Sequence, residues 1–191
     1  MRSEEVIERF WQTGALLEGH FVLTSGLHST SYLQCALVLQ HPAEAEAMGR
    51  ALAERFAGQQ IETIVAPAIG GIVIGFEVAR ALGARSIWTE REQGGRMTLR
   101  RGFTIRPGER VVVVEDVITT GGSTRETIDT VRAAGANVIG AASIIDRSGG
   151  RADTGVPRIA LATLDVPAIA PADCPACALG IPVVKPGSRT I

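Results

Sequence analysis

Lysine is nearly absent from this 191-residue chain: Lys185 is the only one, so basic chemistry in the body of the protein falls to arginine. Cysteine is also scarce. Three cysteines, Cys35, Cys174 and Cys177, are too few and odd in number for a secreted disulfide framework, and they suit a reducing compartment. Long apolar runs are missing too. Stretches such as Ile139 to Ile145 or Val111 to Val114 are far short of the roughly 20 residues a membrane helix needs. The start, Met1-Arg2-Ser3-Glu4-Glu5, carries acids where a secretory signal has a basic end and an apolar core, so the expected location is the cytoplasm with no membrane partner. Neither sign of charge dominates, because the formal net charge is -1. That excludes a global attraction to polyanions, and with no basic helical domain in the sequence no nucleic-acid partner is expected. Any phosphate binding has to be local.

What is present is apolar surface and glycine: 46% of residues are hydrophobic and 22 are glycines. Length and composition suit one domain, 1–191, with a helix and small N-terminal hood over about 1–40, a core over 41–165 and an extension over 166–191. Val6, Ile7, Phe10 and Trp11 recur at helical spacing, which predicts an amphipathic helix over Glu4 to Thr13. The stretch Gly19 to Ser29 alternates and breaks at Gly26, as a strand and turn do, and Tyr32 to Leu39 is expected to add a second strand. Pro42 opens a helix running through Ala43 to Phe56. Then strands and helices alternate: strand Ile61 to Ala66, helix Ile72 to Leu82, strand Arg85 to Thr89, a polar loop Glu90 to Gly102, strand Arg110 to Val114, helix Thr124 to Ala134, and strands Val138 to Asp146 and Ile159 to Leu164. This order implies an α/β fold, a mainly parallel sheet flanked by helices, with ligands at the carboxyl ends of its strands.

Two strand-to-helix junctions carry glycine loops. The stronger is Val114-Glu115-Asp116-Val117-Ile118-Thr119-Thr120-Gly121-Gly122-Ser123-Thr124. Glycines let backbone amides approach a phosphate, hydroxyls add donors, and the next helix directs its positive end at the anion. The acid pair would repel that phosphate but can hold ribose hydroxyls, so a sugar phosphate satisfies both halves of the motif. An ordinary strand with a glycine turn and a capping acid is the bland alternative.

The segment resembles the phosphoribosyl pyrophosphate (PRPP) motif of type I phosphoribosyltransferases. The resemblance implies that Glu115 and Asp116 hold the ribose hydroxyls while Val117, Ile118, Thr119, Thr120, Gly121, Gly122 and Ser123 line the donor site, with Thr119 to Ser123 wrapping the 5-phosphate. Further resemblances point to the orotate branch of that family. Gly19-His20-Phe21-Val22-Leu23-Thr24-Ser25-Gly26, followed by Tyr32, is similar to its N-terminal hood signature, although Phe21 and Leu23 could equally be hairpin core. Asp146-Arg147 is similar to its Asp-Arg pair, which implies that Arg147 contacts the orotate carboxylate, with Thr119 as a further orotate-binding residue; a surface arginine paired with Asp146 is the alternative. Ala68-Ile69-Gly70 matches its pyrophosphate loop, or else a tight helix start.

The family resemblance also implies a type I phosphoribosyltransferase fold, transfer of ribose 5-phosphate from PRPP to orotate, Mg2+ held mainly through PRPP and water, and a homodimer with a loop donated across the interface. A PRPP-binding regulator or a purine-type phosphoribosyltransferase is the alternative function. Three departures stand out. Ile69 and Gly70 replace an aromatic and a lysine, Thr24 replaces a lysine, and the loop 90–102 lacks the family's lysines and histidine. Arg91 aligns best with a basic residue at the loop's start, so Arg91 and Asp116 are the expected catalytic residues, and Arg96, Arg100 and Arg101 are weaker candidates against a plain solvated loop. Cys174-Pro175-Ala176-Cys177 reads as a structural turn, with a disulfide or an intersubunit metal as lesser alternatives. By spacing, His20, His28 and His41 form no ligand cluster.

Overall fold

The computed structural model describes residues 1–23, 25–166 and 168–185. Helix α1 (Ser3–Gln12) leads into an antiparallel hairpin, β1 (Leu16–Val22) and β2 (His28–Leu33). Next come α2 (Cys35–Leu39), α3 (Pro42–Ala53) with a 3-10 turn at Glu54–Phe56, β3 (Thr63–Pro67), α4 (Gly71–Leu82), β4 (Arg85–Arg91) and β5 (Met97–Leu99). The chain continues through β6 (Arg110–Ile118), α5 (Gly122–Ala133), β7 (Asn137–Asp146), β8 (Arg158–Thr163) and the single turn α6 (Pro175–Ala178).

The main sheet has the order β5-β4-β3-β6-β7-β8, parallel throughout except for the edge pair β4 and β5. Its centre is the valine run of β6. Successive side chains of a strand face opposite sides, so Val112 and Val114 enter one apolar cluster with α1, α3 and α4, and Val111 and Val113 enter a second one under α5. All four are fully buried, each stabilising by about 1.5–3 kcal/mol relative to an exposed side chain. This double burial is why β6 reads as a continuous apolar run with no polar alternation.

From β3 the chain crosses by α4 to β4 on one side, and from β6 it crosses by α5 to β7 on the other. The order of the strands therefore reverses between β3 and β6. A crevice opens at the carboxyl ends of strands at such a point, and both glycine loops fall there.

Three expectations need correction. Tyr32 to Leu39 is not a second strand: β2 ends at Leu33, and Cys35–Leu39 coil into α2, burying Cys35, Val38 and Leu39. A short apolar run is compatible with either state, and here contact with the core decides. The loop 90–102 is not wholly irregular, because Met97–Leu99 returns along β4 as β5. Strand β6 runs to Ile118, so the acid pair sits within its last turn of pleat and not beyond it.

The extension 168–185 folds back on the hood. Backbone bonds tie Val184 to β1, with Val22 N–H donating to the Val184 carbonyl at 2.9 Å and Val184 N–H to the His20 carbonyl at 2.8 Å. Ile169 and His28 exchange a pair of 2.8 Å bonds on the other strand. Thr24 lies outside the described residues.

Candidate active site

Glu115 and Asp116 close β6 on the crevice. The Glu115 carboxylate accepts the Thr124 hydroxyl from the first turn of α5. Burial pushes the Glu115 carboxyl up to about 7, helped by the Asp116 charge and opposed by Thr124 and Arg91. Burial likewise raises Asp116, against the opposing Val117 N–H, which donates to Oδ1 at 2.9 Å. Cys35 lies behind it, its thiol held well above the usual range by burial and then by the Asp116 charge. Two adjacent carboxylates thus stand largely desolvated with few donors. Such a pair is suited to accept hydroxyl donors from a ligand.

Beyond the acids, Thr119 and Thr120 are exposed, and Gly121 takes φ 80°, where a Cβ would meet the Asp153 carbonyl at 3.2 Å. The N-cap Gly121 has no side chain to cap the twelve-residue helix α5 that follows, and the Thr120 hydroxyl reaches only the Gly122 N–H, at 3.4 Å. The free N–H groups of its first turn, with the hydroxyls of Thr119, Thr120 and Ser123, form an anion cradle. Val117 is half-buried, whereas Ile118 sends its side chain into the core at 1% exposure.

The second glycine loop, Ala68 to Gly70, meets the first. Ala68 N–H donates to the Thr89 carbonyl at 2.8 Å, and Ile69 projects outward at 84% exposure. A Cβ on Gly70 would lie 2.8 Å from both Asp116 oxygens. Only glycine lets the loop approach the acid pair so closely. A cavity of about 390 Å3 borders this junction, lined by Gln34, Gln40, Ile69, Gly70, Val73 and Asp116. A larger one, about 820 Å3, lies away from it between β5 and α5.

Arg147 follows β7, and its N–H donates to the Ile118 carbonyl at 2.8 Å, which sets it beside the phosphate cradle. Its guanidinium is half-buried and makes no ion pair among the described residues; burial lowers its pKa, offset in part by Tyr32 of the hood. The pairing with Asp146 is not made. Asp146 instead receives Arg158 and the Ser148 N–H and hydroxyl, at 2.8 and 2.6 Å, which together outweigh its burial and hold its carboxyl low. In the hood, Phe21 is buried against Tyr32, with ring centroids 5.8 Å apart.

The arginines of 90–102 are less clearly drawn to the crevice. Arg91, ending β4, is close enough to bias Glu115 but bonds Glu126 at 2.6 Å and the Gly95 carbonyl. Arg96 sits 3.8 Å from Glu92, while Arg100 and Arg101 pair with Glu90. All four are exposed or nearly so, as the solvated-loop alternative requires.

Sequence spacing missed one constellation. Cys174 and Cys177 of the extension reach His20 and His28 of the hood, all four offering ligand atoms within 4.8 Å of one another. Their separation of some 150 residues along the chain leaves no local signal; the turn expected at Cys174 to Cys177 is present, but His20 and His28, expected to form no ligand cluster, join it in one.

The crevice can be compared with known proteins. Residues 36–158 match the phosphoribosyl transferase domain family. An orotate phosphoribosyltransferase from Pelotomaculum thermopropionicum is 58% identical over 191 residues, covering 100% of both chains. One from Thermotoga maritima is 52% identical over 186 residues, 97% of both. Among solved structures, the orotate phosphoribosyltransferase of Aeropyrum pernix is 26% identical with a TM-score of 0.68, covering 83% of this chain and 93% of that one. An adenine phosphoribosyltransferase from Rhodothermus marinus has a TM-score of 0.66 at 25% identity, covering 84% and 99%. The same fold thus serves different bases, and sequence identity over the full length carries the finer distinction. By the family match and by these full-length relatives, the chain belongs to the phosphoribosyl transferase family, within its orotate phosphoribosyltransferase group.

Proposed function

We propose that this protein transfers ribose 5-phosphate from PRPP to orotate, giving orotidine 5-phosphate and pyrophosphate in the making of pyrimidine nucleotides. The observation that carries the choice of base is Arg147: a half-buried guanidinium without an acid partner among the described residues, beside the phosphate cradle and facing the hood. A buried cation needs a counter-charge, and the planar donors of arginine match a carboxylate. Uracil, adenine and hypoxanthine have no carboxylate to offer. Full-length relatives named for orotate support the same choice.

In this reading the amides and hydroxyls of Thr119 to Ser123 hold the 5-phosphate, Glu115 and Asp116 accept the ribose hydroxyls, and the backbone of Ala68 to Gly70 approaches the diphosphate. Thr119 and Arg147 fix orotate. Its ring nitrogen attacks the anomeric carbon as the bond to pyrophosphate breaks, and positive charge develops on the ribose beside Asp116. Arg91, swung from Glu126, stabilises the departing diphosphate; arginine is a poor proton donor, so its part is electrostatic. The larger share of the rate comes from positioning.

Mg2+ fits this site as a companion of the substrate. The acid pair supplies two carboxylates, and no cluster of three acidic ligands exists here among the described residues. Glu115 and Asp116 would border a Mg2+ brought in with PRPP, and the ion would supply positive charge to the leaving diphosphate. The protein acts as a single domain in the cytoplasm and as a homodimer, with the 90–102 segment reaching the neighbouring site. Exposed Ile69, Val73 and Phe76 beside the crevice give α4 an apolar face for such a partner.

The test follows orotate absorbance with PRPP and Mg2+, beside uracil, adenine and hypoxanthine. Magnesium-dependent loss of orotate alone, with pyrophosphate appearing, is the expected outcome. Consumption of a purine would favour the purine-type alternative, and PRPP binding without turnover of any base would favour a regulator.

A further inference from the structure

The extension 168–185 is poorly equipped to stay on the hood by packing. Leu179 is 76% exposed, Val184 53% and Ile181 47%, and the hairpin it meets has only two strands. An isolated two-stranded hairpin is marginal in water, and small units lacking a core are commonly stapled by a disulfide or a metal. At this junction lie two thiols and two imidazoles.

The four ligand atoms all lie within 4.8 Å of one another, and the sulfur-to-nitrogen separations match the edges of a tetrahedral site. Cys174 Sγ is 3.4 Å from His20 Nε2, and Cys177 Sγ is 3.7 Å from the same nitrogen and 3.3 Å from His28 Nδ1. Bond lengths of about 2.3 Å for Zn–S and about 2.0 Å for Zn–N place sulfur and nitrogen about 3.5 Å apart on a tetrahedral edge. His20 Nε2 and His28 Nδ1 stand 2.8 Å apart, so the rings separate by about 0.5 Å to admit an ion.

The surroundings prepare these atoms as ligands. His20 Nδ1 lies 2.8 Å from the Ile181 carbonyl, which can only accept, so the proton sits on Nδ1 and Nε2 presents its lone pair. A carbonyl bonded to the far ring nitrogen in this way orients metal-binding histidines. His20, His28 and Cys174 are buried, while Cys177 stands at the surface. A hydrogen-bond network serves the cluster poorly, since both sulfurs converge on a nitrogen already shared with the second imidazole.

We propose that His20, His28, Cys174 and Cys177 bind one Zn2+ as a closed structural site that clamps the C-terminal extension to both strands of the hood. Two sulfurs with two imidazole nitrogens select zinc over harder cations. Binding converts both thiols to thiolates and releases two protons, so the ion with two thiolates and two neutral imidazoles carries no net charge. With four protein ligands no position is left for water or substrate. The effect on the reaction is indirect. His20 lies on β1 and His28 opens β2, so the ion braces the hood at both strands.

The experiment reads metal and not turnover, so it stands apart from the function assigned above. Protein purified under reducing conditions without chelator is analysed for zinc by mass spectrometry, and its cobalt-substituted form by visible absorption. One zinc per chain and the intense visible bands of tetrahedral, thiolate-bound Co2+ are expected. Cys177→Ser, at the surface where it can be tolerated, and His28→Ala lose the metal, while His41→Ala keeps it. Chelation increases hydrogen exchange in 16–33 and 168–185 before the main sheet. Protein lacking zinc and showing no such cobalt spectrum, a Cys174–Cys177 disulfide in the reduced preparation's intact mass, or zinc content unchanged in Cys177→Ser would each overturn the proposal.

Discussion

Glu109, just before β6, and Glu115, toward its carboxyl end, are treated by the protein in opposite ways. At the amino end of β6, Glu109 is 3% exposed yet fully partnered: it accepts the Thr63 hydroxyl, the Arg106 N–H at 2.8 Å and the Arg85 guanidinium at 2.7 Å. Burial alone would raise its pKa, but those donors hold it at about 2. At the carboxyl end, Glu115 keeps a single hydroxyl partner and is pushed up to about 7. The residue type is the same, and one short stretch of chain holds both. What differs is whether the fold itself meets the charge, and where it does not, a ligand is left to meet it.

The sharpest way to break this contrast is at Arg147, the cation at the unmet end. Removing one partner of a desolvated charge pair costs about 2–5 kcal/mol. Arg147→Ala is therefore expected to lower kcat/KM for orotate by about 100-fold or more, mostly through KM, with PRPP affinity and melting temperature nearly unchanged. Steady-state kinetics beside a PRPP titration checks it. A large loss of stability instead would mean that Arg147 is structural.

At the met end the expected loss is in stability. Glu109→Gln keeps the shape but removes the charge that Arg85 and Arg106 share. Both arginines are substantially exposed, so solvent screening reduces the cost, and about 2 kcal/mol is expected from urea unfolding, with kcat/KM intact. The sign with pH follows from linkage. A carboxyl lowered from 4.5 to about 2 contributes stability above pH 4.5 and loses it as pH falls toward 2. The wild type should shed this advantage over the variant across that acid window.

The two ends were unequally legible in the sequence. The top announced itself because ligand chemistry needs particular residues in a short run, Glu115 through Ser123, and a strand-to-helix junction keeps them contiguous. Arg147 was legible only by likeness to a family, since nothing local distinguishes it from an arginine paired with Asp146; the competitor Arg158 lies twelve residues on. The bottom was silent. Glu109 draws its partners from Thr63, Arg85 and Arg106, on separate elements, and no spacing rule joins them. The hood's cysteines and histidines were hidden for the same reason. Cys35–Leu39 was misread because five apolar residues fit a strand as well as a helix, and only burial against α3 and α1 decides.

Smaller effects sharpen the comparison at Glu115 itself. Its pKa is raised, so the folded protein holds a proton more tightly than the unfolded chain, and the sign reverses relative to Glu109. Stability is fully present below pH 4.5 and declines as pH rises toward 7. With the group partly exposed, the decline is expected to be on the order of 1–2 kcal/mol. Glu115→Gln, which carries no charge to desolvate, should flatten melting temperature between pH 5 and 8 and exceed the wild type at pH 8, while binding PRPP more weakly. If wild type and variant share one profile, Glu115 is not held out of its ordinary range, and its place among the unmet charges fails.

The smallest expected effect tests whether Arg91 belongs to the unmet set at all. Its bond to Glu126 joins two side chains that are each nearly half exposed, at 45% and 46%, so the pair is worth about 0.5 kcal/mol or less. An interaction that weak can hold Arg91 at rest and still release it to a diphosphate. Glu126→Gln should then leave the melting temperature within a degree or two and leave kcat unchanged or slightly raised, because the restraint on Arg91 is gone. Arg91→Ala should lower kcat with little change in stability. If both substitutions instead alter stability and neither alters kcat, Arg91 serves the surface of the loop, and the charge on the leaving group is met elsewhere.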